Sequence, residues 1–246
     1  MRIKIQVSTS KGAEAKRMTG TEFKVAREKH GWSQCEVANR LGVSQTYVTF
    51  LERNKRPFPS ALARKAVTLL KMSPSALPLE PRASMDADRS TRELSALGYP
   101  GFAHVPPVRR RNPAEVLLAA LGQKDLEARV AEALPWLLLQ YGEMSEASKE
   151  WLVEQARLRG LTNRLGFTVT LAKQVAERKG EATSRVHQAL VQLEQELFPS
   201  RLAEPDTFCL RHLTQRQREW IENARPDAAK RWNLLTTLRP GHLPYA

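Results

Sequence analysis

Ser33-Gln34-Cys35-Glu36-Val37-Ala38-Asn39-Arg40-Leu41-Gly42-Val43-Ser44-Gln45-Thr46-Tyr47-Val48-Thr49-Phe50-Leu51-Glu52-Arg53 is the stretch whose punctuation decides the fold. Ser33 is a helix N-cap residue and Glu36 stands three positions later, the reciprocal capping-box arrangement, so a helix is predicted over residues 34–41. Gly42 supplies the left-handed position that stops it. Val43 plugs the turn, and Ser44 caps a second helix over residues 45–53. Val37, Ala38 and Leu41 on the first helix face Val48 and Leu51 on the second, and Ala38 is small where the two cross closely. Two short helices locked by a tight turn make a helix-turn-helix unit.

This unit sits inside a compact helical pattern from Thr21 to Leu70, in a domain placed at residues 18–79. Ahead of it, residues 1–17 are polar and basic. Ile3, Ile5 and Val7 alternate with Arg2, Lys4 and Gln6, but no partner strand is evident, and the segment reads as a flexible basic arm. Behind it, residues 80–111 read as a linker, from their prolines, Ser and Asp and a terminal Arg109-Arg110-Arg111 run taken as solvated. Residues 112–246 form a succession of amphipathic helices. Asn112-Pro113 is an N-cap followed by Pro at the first helical position, with Val116, Leu117, Ala120 and Leu121 as the apolar face. A second helix runs from Leu126 through Val130, Leu134, Leu137 and Leu138 to Tyr141, and Pro135 is expected to kink or split it. Further helices follow around Trp151, Leu165 to Val175, and Val186 to Leu197, with two short ones around Trp220 and Trp232. The 186–197 seam spans under two heptads and reads as a core helix rather than a zipper. No strand alternation stands out, so the expected class is all-α.

Composition narrows the function. The 246 residues carry 39 Lys+Arg against 26 Asp+Glu, a formal charge of +13. Residues 1–75 hold 15 Lys+Arg and 5 Asp+Glu, whereas residues 112–246 hold 18 and 17. Attraction to a phosphate backbone therefore resides in the first third of the chain, and the larger helical part is electrically balanced. No apolar run approaches the roughly 20 residues of a membrane span, and no apolar core follows the basic start as in a secretory leader. Cys35 and Cys209 are the only cysteines, too few for a disulfide framework or a cysteine-built zinc site. The expectation is a reduced, cytoplasmic protein with no membrane partner.

The segment from Arg27-Glu28 through Ser33-Gln34 and Glu36-Val37-Ala38, Leu41-Gly42-Val43-Ser44-Gln45 and Leu51-Glu52-Arg53 resembles the DNA-binding domain of the phage-repressor (Cro/XRE) helix-turn-helix family. The resemblance covers about residues 18–79, a quarter of the chain, and implies a five-helix domain that binds double-stranded DNA. It implies base contacts from Gln45, Thr46 and Phe50 on the outward face of the recognition helix, with Tyr47 and Thr49 placed to touch base edges or backbone. Glutamine can pair bidentately with adenine, and Thr and Phe can meet thymine methyls. Gln34 resembles the family glutamine that binds phosphate and braces the first recognition-helix glutamine. Ser44, Arg53, Lys55 and Arg56 look like further phosphate contacts, which orient the module without reading sequence. Arg27 and Glu52 match a family ion pair joining the first and third helices. Asn54 departs from the pattern, in which Gly is usual, but Asn tolerates the left-handed conformation.

Catalytic patterns are missing. His30, His104, His187, His212 and His242 are scattered, without metal-ligand spacing, and no nucleophile elbow, phosphate-binding glycine loop or dinucleotide fingerprint occurs. Cys209 lies near Arg211 and His212, which can lower a thiol pKa, yet it reads better as a semi-buried apolar residue. Glu194 and Glu196 fall on different helix faces. The expected function is therefore a non-enzymatic transcription regulator without cofactor or metal. It is expected to be an autorepressor binding a palindromic operator as a homodimer, because one such module covers only a half-site. Residues 112–246 would then serve dimerisation or partner binding. The stretches Asn112 to Leu121 and Leu134-Pro135-Trp136-Leu137-Leu138-Leu139 are also similar to repressor-like proteins paired with toxin or phage-defence genes. That similarity implies an alternative, an antitoxin whose C-terminal domain neutralises a toxin protein.

Overall fold

A computed structural model describes residues 18–79, 86–209 and 213–246. The basic arm at residues 1–17 and the Arg211 and His212 near Cys209 lie outside the described residues. The described chain is all-α apart from one parallel pairing of two-residue strands, Asp206–Thr207 with Leu234–Leu235.

The N-terminal part comprises α1 (Gly20–Lys29), α2 (Gln34–Leu41), α3 (Gln45–Glu52) and α4 (Ser60–Leu69), then a single 3-10 turn at Pro74–Ala76. The fifth helix expected of the family is thus reduced to that turn. Capping boxes start α1 at Thr19/Glu22 and α2 at Ser33/Glu36. Ser44 Oγ accepts from Tyr47 N (3.2 Å) to start α3. Gly42 ends α2 at φ 76°, and the Lys65 ammonium donates to the freed Leu41 carbonyl (2.7 Å). Phe23, Val37, Ala38, Leu41, Val48, Leu51, Phe58, Ala63 and Ala66 bury one core between the four helices. Phe23 and Phe58 meet edge to face at 5.0 Å.

The region expected to be a linker is folded from residue 86 onward. Asp86 caps α5 (Ala87–Ala96), and Leu94, Leu97, Tyr99 and Phe102 are buried in the C-terminal core. Its prolines flank the helix instead of preventing one. The arginine run is also only partly solvated. Arg111 forms ion pairs with Glu93 (3.3 Å) and Glu115 (2.6 Å) and is nearly buried. Arg110 Nε donates to the Ala96 carbonyl (3.0 Å). Asn112 does more than cap: its Oδ1 accepts from Ala114 N, while Nδ2 donates to the carbonyls of Ser75 (3.1 Å) and Leu77 (2.7 Å). One side chain therefore starts the next helix and holds the end of the N-terminal part against it.

The C-terminal core is built by α6 (Pro113–Leu121), α7 (Ala128–Tyr141), α8 (Glu146–Leu158), α9 (Thr162–Arg178) and α10 (Arg185–Leu197), closed by α11 (Gln215–Ala224) and α12 (Asp227–Arg231). Every residue of α6 is buried, so it is a central helix surrounded on all sides rather than a one-faced surface helix. Helix α7 continues through Pro135 without splitting. Proline removes one helical hydrogen bond and crowds the preceding turn. Here the Tyr245 hydroxyl fills the break, accepting from Trp136 N (3.0 Å) and donating to the Glu132 carbonyl (2.5 Å). Trp232 is fully buried against Gly166, where an added Cβ would lie 2.3 Å from the indole. Its Nε1 donates to Thr170 Oγ1 (2.8 Å), which is 2.7 Å from Glu194 Oε1. Burial pushes the Glu194 carboxyl up, but Lys173 (2.6 Å), Thr170 and Arg231 outweigh it and hold the pKa below the ordinary value.

Candidate nucleic-acid interface

The interface is assembled on α3. Val48 and Leu51 are its buried anchors, which turns Gln45, Thr46 and Phe50 outward; all three are exposed, Phe50 at 36%. Each capped helix start is fixed by side chains from its own sequence, so the direction of α3 is set locally.

Orientation relative to α1 and α2 is set by a chain of polar contacts. Arg27 Nε and Nη2 donate to the two Glu52 carboxylate oxygens at 2.6 and 3.2 Å, and Nη1 donates to the Trp32 carbonyl at 2.6 Å. Both residues are buried, at 7% and 8% exposure. Hydrogen bonding to Glu52 raises the Arg27 pKa against the opposing effect of burial. The same carboxylate accepts from Gln34 Nε2 (2.8 Å), and Gln34 Oε1 accepts from Thr49 Oγ1 (3.0 Å). Arg27, Glu52, Gln34 and Thr49 thus link three helices in one relay.

That relay corrects one expectation. Gln34 braces Thr49 and Glu52, not Gln45. Thr49 is half-buried, and its hydroxyl lies within donating distance of Gln34 Oε1 and of the Gln45 carbonyl (3.1 Å), while its methyl group and the acceptor side of the hydroxyl remain for the groove. Tyr47 is half-buried as well, with the Arg56 guanidinium 5.9 Å from its ring centre. Ser44 Oγ is occupied as a cap. Arg53, Lys55 and Arg56 are exposed on the turn after α3, and among the described residues none pairs with a carboxylate. Their charge is free to meet phosphate.

Asn54, the departure from the family pattern, adopts φ 55° and serves a second purpose. Its Oδ1 accepts from Gly20 N (2.7 Å) at the start of α1. Gly20 lies so close to the end of α3 that an added Cβ would sit 2.0 Å from the Leu51 carbonyl oxygen. The sequence signal for this contact is the pair itself, a glycine opening one helix and an amide-bearing residue closing another.

Elsewhere, the two thiols differ. Cys35 is exposed on α2, whereas burial pushes the Cys209 thiol up to about 12, the reverse of an activated nucleophile. Among the described residues, no group of three or more His, Cys, Asp or Glu is placed to hold a metal. No helix there is long and apolar enough to cross a membrane.

A family model described as helix-turn-helix matches residues 23–77. A search of curated proteins found no match, and a search of solved structures found none either. The matched span begins at the core residue Phe23 and ends at Leu77, enclosing the relay, the outward face of α3 and the basic turn after it. Residues 23–77 are a helix-turn-helix domain of the phage-repressor type, and the chain is a DNA-binding transcription regulator carrying it.

Proposed function

We propose that the chain is a sequence-specific autorepressor that binds a palindromic operator as a homodimer in the cytoplasm, with no catalytic role, cofactor or metal of its own. The observation that carries this reading is the face of α3. Gln45, Thr46 and Phe50 are exposed together, beside three exposed cations, Arg53, Lys55 and Arg56, that pair with no carboxylate among the described residues. The first group presents an amide for adenine and apolar surface for thymine methyls. The second supplies charge that holds the helix in register without reading bases. A dimer places two such helices about 34 Å apart, one turn of duplex. Affinity should fall steeply with salt, by a slope near one counterion per phosphate contact.

Footprinting the DNA upstream of the chain's own gene tests this. The expected result is a protected pair of inverted half-sites centred about one helical turn apart. Uniform, sequence-indifferent protection would reject it.

The antitoxin reading draws on a separate observation. Trp220 on α11 is 64% exposed and Leu158 at the end of α8 is 73% exposed, large apolar groups available to a protein partner. Co-expression with the neighbouring gene product decides it: a stable complex lost in Trp220→Ser supports this role, and independent elution rejects it.

A further inference from the structure

We infer that the C-terminal domain holds a binding site for a small organic phosphate. A cleft of about 1010 Å³ opens between the C-terminal half of α9, the α11–α12 junction and the 3-10 turn Pro240–His242. Its size matches or exceeds that of typical small-molecule sites and is far more than a bare phosphate ion fills. Arg178, Arg225, Lys230 and Arg239 line it.

The acidic groups in the cleft answer this charge only at Lys230. Glu177 is directed to His187 Nε2 (3.1 Å) and Asp227 to Lys230 (3.5 Å). Arg178 has no hydrogen-bond or ion-pair partner among the described residues. Its Nη1 lies 3.2 Å from where a Cβ on Gly241 would stand, so the guanidinium lies beside the turn. Arg225 is the more telling group. Its side chain is 17% exposed, and its closest carboxylate, the exposed Glu222, is 3.8 Å away. Nε and Nη1 are shut off from solvent with no partner among the described residues. A ligand in the cleft therefore cannot meet those two atoms and would meet Nη2, which the exposed Glu222 leaves loosely paired.

Guanidinium groups match phosphate oxygens in geometry as well as charge. The floor of the cleft is apolar at Leu171, Pro226 and Ala228, which suits the organic part of such a ligand. A long polyanion is a poorer fit, because the domain as a whole is electrically balanced and offers no continuous basic track.

The test is calorimetric titration of the full chain, free of DNA, with ATP, AMP and glucose 6-phosphate, and with adenosine as the phosphate-free control. At least one phosphate ester is expected to bind saturably, and adenosine is not. Arg225→Met and Arg178→Gln should each weaken that binding by about tenfold or more, the loss expected for a charge-assisted contact. A Lys55→Ala/Arg56→Ala variant, altered only on the basic turn after α3, should bind as the wild type does. Melting of Arg225→Met should not fall, since the substitution removes a mostly buried charge whose ion pair with the exposed Glu222 is long, at 3.8 Å; Arg178→Gln, altered at an exposed position, reads the site independently of folding. Absence of saturable binding by all three esters at millimolar concentration overturns the inference. So does binding that survives both cleft substitutions, or that disappears in the Lys55→Ala/Arg56→Ala variant.

Discussion

Glu52→Ala should disable the helix-turn-helix domain without touching its outward face. The carboxylate accepts from Arg27 Nε and Nη2 and from Gln34 Nε2, at 2.6, 3.2 and 2.8 Å. Its removal leaves the buried Arg27 charge with the Trp32 carbonyl and the exposed Glu28 carboxylate at 3.3 Å, and frees Gln34 from its anchor beside Thr49. Breaking a buried ion pair on one side costs about 3–5 kcal/mol. A domain of the size of residues 18–79 has roughly 3–9 kcal/mol of stability in total, so the substitution consumes a third or more of it. Removing both charges is different: Arg27→Met with Glu52→Leu leaves no orphan charge and should lie within about 2 kcal/mol of the wild type. Native-state hydrogen exchange of the α1 and α3 amides reads this domain separately from the C-terminal core. Exchange in Glu52→Ala within about 1 kcal/mol of the wild type, or a double variant as unstable as the single one, would show that the Arg27–Glu52 pair does not hold the domain together.

Three further outcomes are expected. Tyr245→Phe strands Trp136 N–H and the Glu132 carbonyl at the Pro135 break and should lower the urea stability of the C-terminal domain by about 1–3 kcal/mol; an unchanged midpoint would show that the hydroxyl does not bridge the break. Because the Glu194 pKa is lowered in the fold, the stability it supplies is complete above the ordinary value of 4.5 and is lost as pH falls through the lower folded value. Glu194→Gln should flatten that acid limb, and an identical pH profile would count against the buried network. A thiol reagent at about pH 8 should label the exposed Cys35 and spare Cys209, whose thiol stays protonated; mass spectrometry finding both labelled at equal rates would contradict the burial of Cys209.

The sequence was informative where structure is locally encoded. Ser33/Glu36, Gly42 and Ser44 mark their helix ends to within a residue because caps and left-handed stops are made by neighbours in the chain. The Arg27–Glu52 pair was legible only through resemblance, since nothing local relates residues 25 positions apart. What escaped notice depends on distant partners. Gln34 chooses Thr49 over Gln45 because Glu52 already holds its amide in place. Pro135 stays within a helix because a hydroxyl 110 positions further along the chain repairs it. The proline-rich composition before residue 112 hid α5, whose Leu94 and following Leu97 are buried only within the C-terminal core. The cleft at Arg178 and Arg225 is invisible in sequence, as its charges come from three separate elements and neither arginine belongs to a motif.

The outward face of α3 is proposed to read bases. The most direct measurement is the ratio of affinities for the protected operator and for random DNA, in wild type and in Gln45→Ala and Thr46→Ala. Loss of one good base contact costs about 1–3 kcal/mol of discrimination, so each variant should bind random DNA as the wild type does while its preference for the operator falls about fivefold to a hundredfold. Equal weakening on both DNAs, with the ratio preserved, would contradict it.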